Sequence, residues 1–78
     1  MKKTISPEHQ KKLSELGIYL RELRFDANLT QAKVCEELNI HYNTITRIEH
    51  GCNFEIITLL LIADFYGVDA STLLSIWD

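Results

Sequence analysis

Apolar residues return every three and four positions along successive stretches of the chain, with polar residues between them. Leu13, Leu16, Leu20, Leu23 and Ala27 form the first such series, the spacing of one face of an α-helix. Ser6-Pro7-Glu8 precedes it and supplies a capping hydroxyl, a proline suited to the first helical position and an acid near the positive end of the dipole. One helix over residues 7–27 is predicted. Val34, Cys35 and Leu38 mark a second helix from Gln31 to about Leu38, opened by the Thr30 hydroxyl and ended at Asn39, which tolerates the left-handed backbone of a helix end. A third begins near Tyr42 with His41 at its cap, turns Ile45 and Ile48 to the same core, and closes at Gly51. Ile56, Leu59, Leu60, Ile62, Ala63 and Tyr66 predict a fourth helix ending at Gly67. Asp69 then caps a last short helix, Ala70 to about Ser75, that buries Leu73. Period-two alternation is nowhere sustained, so no strand is predicted. The expected fold is an all-α five-helix bundle with an extended first helix, and the stretch 30–51, two short helices around a tight turn, is its organising element.

Two features depart from this simple pattern. Gly17 stands inside the first helix at a cost of about 1 kcal/mol against Ala. Either another backbone approaches closely there, or the glycine is exposed and neutral. Leu61, Phe65, Ile76 and Trp77 are left over once one face of each C-terminal helix is assigned to the core, and four bulky apolar groups exposed together are unusual on a monomer. They close against the first helix through Ile18 and Tyr19, or they form a two-fold homodimer contact.

The third helix carries chemistry on its other face, where Tyr42, Asn43, Thr46 and Arg47 can stack, donate and accept. A helix that needed only solubility would more often carry Glu and Lys. The set Leu16-Gly17, Leu20, Leu23-Arg24, Leu29-Thr30-Gln31, Leu38, Ile40, Thr44-Ile45, Arg47-Ile48-Glu49-x-Gly51, Leu59-Leu60, Ala63 and Gly67-Val68, in this order and spacing, resembles the Cro and phage-repressor (XRE-like) helix-turn-helix DNA-binding domains over roughly Leu16 to Leu74. Cys35 stands where that family usually has Ala, Asn39 where it has Gly, His41 where it prefers Ser or Asp, and Phe54 where Pro is common. A length of 78 residues suits one domain over 1–78; the resemblance makes 30–51 its helix-turn-helix, and 1–12 extends helix 1 beyond the length usual in that family.

It also implies roles. The helix from Tyr42 to Glu49 would enter the major groove of double-stranded DNA, with Tyr42, Asn43, Thr46 and Arg47 as candidates for base readout. Arg suits guanine and Asn suits adenine, because their donors and acceptors match those base edges. Gln31, Thr44, His50 and Asn53 would contact phosphates, Gln31 with help from its helix dipole. Arg24 would pair with Glu49. Proteins of this kind read paired half-sites about 34 Å apart, which favours the homodimer for Leu61, Phe65, Ile76 and Trp77. A cytoplasmic transcription regulator is the expected function.

Charge pulls the other way. The net charge is −3, whereas DNA affinity rests largely on phosphate neutralisation. Residues 55–78 contain Glu55, Asp64, Asp69 and Asp78 and no Lys or Arg, so residues 1–54 hold all eight basic side chains against seven acids. That portion is weakly positive, and modest, salt-sensitive affinity per subunit is expected. The acidic balance supports an alternative, a protein-interaction adaptor or antitoxin-like module on the same scaffold; Gln31, Asn43 and Arg47 on one outer face oppose it.

The remaining chemistry is sparse. Cys35 lies on the apolar stripe and Cys52 in a loop, so no disulfide framework is expected. A metal site would have to recruit His41, His50 and Cys52 without any close Cys-x-x-Cys pair, and neither a metal nor a cofactor is expected. No nucleophile with a base, carboxylate pair or phosphate-cradling glycine loop suggests an enzyme, and no small-molecule ligand is evident. No apolar run approaches 18 residues, and the lysines at positions 2 and 3 lead into Thr-Ile-Ser-Pro rather than a signal-peptide core, so no membrane partner is expected.

Overall fold

The computed structural model describes residues 5–77. Met1–Thr4 and Asp78 lie outside the described residues, and with them the lysines at positions 2 and 3 and the first four positions of the expected 1–12 extension. Five α-helices follow one another, α1 (Pro7–Asp26), α2 (Gln31–Leu38), α3 (Tyr42–Glu49), α4 (Ile56–Tyr66) and α5 (Ala70–Leu74), and a 3-10 turn at Ser75–Trp77 follows α5. The all-α class is as expected, and among the described residues there is no strand.

Local chemistry accounts for the helix ends. The Ser6 hydroxyl accepts from the His9 N–H at 3.1 Å and the Thr30 hydroxyl from the Lys33 N–H at 3.1 Å, each giving a partner to a first-turn donor. The Asp69 carboxylate accepts from the N–H and hydroxyl of Ser71, and those bonds hold its carboxyl below the usual range. α1 stops at Asp26 rather than Ala27, because Asn28 turns into the left-handed region at φ 59°. Asn39 ends α2 in the same region, φ 54° and ψ 47°, while the Ile40 N–H bonds back to the Cys35 carbonyl at 3.1 Å. That geometry brings α3 in at once.

The core is Leu16, Leu20, Val34, Cys35, Ile45, Ile48, Leu59, Ile62, Ala63 and Leu73, contributed by all five helices. Cys35 fills a small gap there, and its thiol donates to the Tyr42 carbonyl at 3.3 Å. Burial differs from expectation mainly on α4. Ile56 and Leu60 face outward, at 62% and 43% exposure, while Leu59, Ile62 and Ala63 are buried. The stretch Ile-Ile-Thr-Leu-Leu-Leu-Ile-Ala is apolar nearly all round, so spacing alone could not tell its inner face from its outer.

The leftover apolar set also divides. Phe65, Ile76 and Trp77 are partly buried and pack against the core, whereas Leu61 is exposed. The 3-10 turn folds back on α1: the Trp77 indole N–H donates to the Lys12 carbonyl at 3.0 Å, and the Lys12 ammonium stands 5.9 Å from the ring centre. Three of the four residues offered as a dimer contact are therefore engaged within the subunit. Tyr19 packs against the core as well, but Ile18 is exposed. Among the described residues, no single helix is long and apolar enough to cross a membrane, and α4 and the following helix meet at a bend of 112°.

Candidate nucleic-acid interface

α3 is the helix on which inward and outward chemistry separate most sharply. Ile45 and Ile48 are buried at 3% and 2% exposure, while Tyr42 is 67% exposed and Asn43 and Arg47 are open to solvent. The helix begins on a histidine cap. His41 Nδ1 accepts from the Asn43 N–H at 3.2 Å, which requires the imidazole tautomer without a proton on Nδ1. The His41 and Tyr42 rings stack with centroids 5.0 Å apart. His41 thus fills the place where Ser or Asp is preferred.

The far end of α3 closes with Gly51 at φ 82°. The Gly51 N–H bonds to the Ile48 carbonyl at 3.0 Å and the Cys52 N–H to the Arg47 carbonyl at 2.9 Å, a Schellman closure that only a residue tolerant of positive φ permits.

One edge of α1 grips this end of α3. Gln10, Ser14, Gly17, Arg21 and Arg24 recur at intervals of four and three and form a seam along it. Gln10 Nε2 donates to the Gly51 carbonyl at 3.0 Å, and Arg21 Nη2 to the Glu49 carbonyl at 3.3 Å. Gly17 is buried, and a Cβ there would stand 2.6 Å from the Ile48 carbonyl oxygen and 2.7 Å from that of Glu49. The close backbone approach is the reason for the glycine.

The seam ends in a buried ion pair. Arg24 Nε donates to Glu49 Oε2 at 2.8 Å and Nη2 to Oε1 at 3.0 Å, a bidentate fork, and Nη1 donates to the Leu29 carbonyl at 2.8 Å. Arg24 and Glu49 are 7% and 3% exposed, and the bond to Glu49 raises the Arg24 pKa against the opposing effect of burial. Glu49 Oε1 also accepts from Gln31 Nε2 at 3.0 Å, and Gln31 Oε1 accepts from the Thr46 hydroxyl at 2.9 Å. Four side chains from α1, α2 and α3 thus form one connected network.

Sequence-level candidates therefore separate into two groups. Tyr42, Asn43, Arg47, His50 and Asn53 lie exposed on α3 or just after it, and Thr44 is half-buried beside them. Gln31 and Thr46, also half-buried, are bonded to each other beneath that face. Arg47 makes no ion pair among the described residues. With Thr44, Asn53 and Phe54 it lines an open cleft of about 430 Å³ between the end of α3 and the start of α4. The neighbouring surface of α2 is less cationic than its lysine suggests, because Lys33 pairs with Glu37 at 3.1 Å and Glu36 at 3.9 Å, which raises its pKa. Among the described residues no three His, Cys, Asp or Glu side chains gather in a metal-binding group.

Gln10, Ser14 and Arg21 were not among the candidates. Their signal was present as a second stripe at helical spacing, one position along from the leucines of α1. A stripe of polar and small residues reads as solvated surface unless a carbonyl-rich helix end is known to lie against it.

A bundle that presents a short, exposed polar helix across a tight turn defines a helix-turn-helix protein. The family model described as helix-turn-helix domain matches residues 15–74. The chain belongs to this family, one of XRE-like helix-turn-helix domains, and membership points to DNA binding and transcription regulation. The match omits residues 7–14, the first two turns of α1. No curated protein matches the chain.

Proposed function

We propose that this chain is a single-domain, cytoplasmic, sequence-specific transcription regulator that lays α3 in the major groove of double-stranded DNA and binds an inverted repeat as a homodimer. The observation that carries the reading is the division of α3. Its isoleucines and Glu49 are held by the bundle, and Tyr42, Asn43 and Arg47 are left outward with donors and acceptors available.

Arg47 is assigned to guanine, Asn43 to adenine, and Tyr42 to a thymine methyl or a phosphate. Gln31, Thr44, His50 and Asn53 contact phosphates and fix the register. Two copies are needed because one subunit offers few cations, so each half-site binds modestly.

The dimer contact is best placed on the outer face of α4. Ile56, Ile57, Leu60 and Leu61, with Leu74 of α5, are exposed at 38–62%, and residues 56–63 carry no charge. A second copy can cover that face about a two-fold axis without burying an unpaired charge. Leu61 stays in the contact, while Phe65, Ile76 and Trp77 support it from within.

Selection of duplexes from a random pool tests the proposal. An enriched inverted repeat with half-site centres about 34 Å apart is expected, and a pool without enrichment contradicts it. Arg47→Ala is expected to relax preference at one base pair per half-site at a cost of about 1–3 kcal/mol. Equal weakening on every sequence would make Arg47 a phosphate contact instead. The acidic C-terminal third keeps an adaptor without DNA binding as the second reading.

A further inference from the structure

We infer that Gln10, held from behind by Trp77, is a positioning residue for the loop after α3. Two short segments outside the family match, residues 7–14 and 75–77, then set how firmly that loop meets DNA. The inference rests on the proposed DNA-binding role of α3 and goes beyond it in giving these flanks a part in it. The first two turns of α1 contribute little to the core, because residues 7–12 are exposed and the core side of the helix begins at Leu16. A helix end of that kind frays unless something else holds it. Here it is held from two sides, since at 3.6 residues per turn Gln10 and Lys12 point about 160° apart. Gln10 Nε2 donates to the Gly51 carbonyl at 3.0 Å. The Trp77 indole N–H donates to the Lys12 carbonyl at 3.0 Å, and Trp77 lines a shallow cleft with Glu8, Lys11, Lys12 and Glu15, all on one side of α1. The start of α1 is clasped between the end of α3 and the 3-10 turn.

The Gln10 contact has only one sense. A backbone carbonyl can only accept, so the amide must turn Nε2 to Gly51 whichever way the hydroxyl of Ser14, 3.2 Å from the same nitrogen, shares its proton. Gly51 is also pressed against α1, where a Cβ would stand 2.7 Å from Ser14 Oγ and 3.1 Å from Gln10 Nε2. Its peptide link to Cys52 is a rigid plane bonded at both edges, the carbonyl to Gln10 and the Cys52 N–H to the Arg47 carbonyl at 2.9 Å. That plane sets the direction in which the chain leaves α3. His50 precedes it and Asn53 follows it, so the clasp fixes two proposed phosphate contacts before DNA arrives and lowers the ordering cost of binding. Without it, only a fraction of the loop's conformations is competent, and affinity falls by that fraction.

The test uses the full chain, a random-sequence duplex and the duplex enriched from the random pool, with binding, melting temperature and amide hydrogen exchange measured together. Gln10→Met keeps the length of the side chain and removes its donors. It is expected to lower affinity for both duplexes by the same factor, about two- to ten-fold as for one hydrogen bond, with base preference unchanged. Exchange at the Cys52 N–H should quicken by a similar factor while that at Ile45 does not, a pattern that general loss of stability would not give. Trp77→Phe keeps a ring and removes the N–H, and a smaller loss of affinity is expected. Combined with Gln10→Met, it should cost less than about a further two-fold, because the two act in series. Unchanged affinity in either single variant, a loss confined to one base pair, exchange quickened equally at Ile45, or additive losses would each overturn the inference and leave the regulator reading intact. Failure of the unsubstituted chain to bind either duplex would remove both.

Discussion

The seam between α1 and α3 and the outer face of α4 are opposite solutions to the same problem, how a small bundle disposes of a helix face. Along the seam, side-chain donors meet carbonyls or carboxylates: Gln10 meets Gly51, Arg21 meets the Glu49 backbone, and Arg24 meets the Glu49 side chain. Among the described residues no buried side-chain polar atom is left without a partner. On α4 four large apolar side chains, Ile56, Ile57, Leu60 and Leu61, are left to solvent. The seam is finished by the chain itself, and the α4 face is left open. A helix that must hold still against DNA belongs on the first kind of surface, and an assembly contact belongs on the second.

The sharpest way to break this contrast is at the ion pair. Arg24→Ala leaves the Glu49 carboxylate buried without its fork and is expected to destabilise the fold by about 3 kcal/mol, read as a lower midpoint in denaturant unfolding. An unchanged midpoint would mean that the seam does not hold α3. Gly17→Ala comes next. Its methyl group meets two carbonyl oxygens of α3, so α1 and α3 must separate, at a cost of about 2 kcal/mol, although Ala in a free helix would be the better residue. A stabilised variant would contradict the close approach.

Alkaline unfolding sharpens the picture from α4's inner side, where Tyr66 approaches the same Glu49. Burial pushes its phenol up from 10.0 to about 12. A raised folded pKa means that the neutral form contributes stability fully present below about pH 10, where the unfolded chain begins to ionise, and lost as pH rises through 12. Tyr66 is partly exposed, so a loss of about 1–2 kcal/mol across that window is expected. Tyr66→Phe should remove that part of the slope, and an identical profile for the variant would refute the assignment. The smallest effect on the subunit is expected at Leu61→Glu, within about 0.5 kcal/mol for an exposed position, while sedimentation should report loss of the dimer. A dimer that survives this change is held elsewhere.

Much of this was legible in the chain and part of it was not, for physical reasons. Caps are local, so Ser6, Thr30, Asn39, His41 and Asp69 could be placed from their neighbours, and α2 and α3 run as predicted. α4 could not be oriented, because a helix apolar on nearly every side has no preferred face until its neighbours are known. That same ambiguity put Ile56 and Leu60 in the core and left Phe65 outside it, whereas Trp77 was missed because the 3-10 turn folds back on α1 across 65 residues. At the site, the exposed set Tyr42, Asn43 and Arg47 follows from which residues of α3 are apolar. The bond between Gln31 and Thr46 joins two helices across 15 residues, and no spacing rule reaches that far.

Binding of the unsubstituted chain to random-sequence duplex DNA over a salt series tests the central claim most directly, that the outer face of α3 lies against DNA. A linear fall in the logarithm of affinity with the logarithm of salt concentration is predicted. No binding at the lowest salt would contradict it and leave a protein-interaction module in its place.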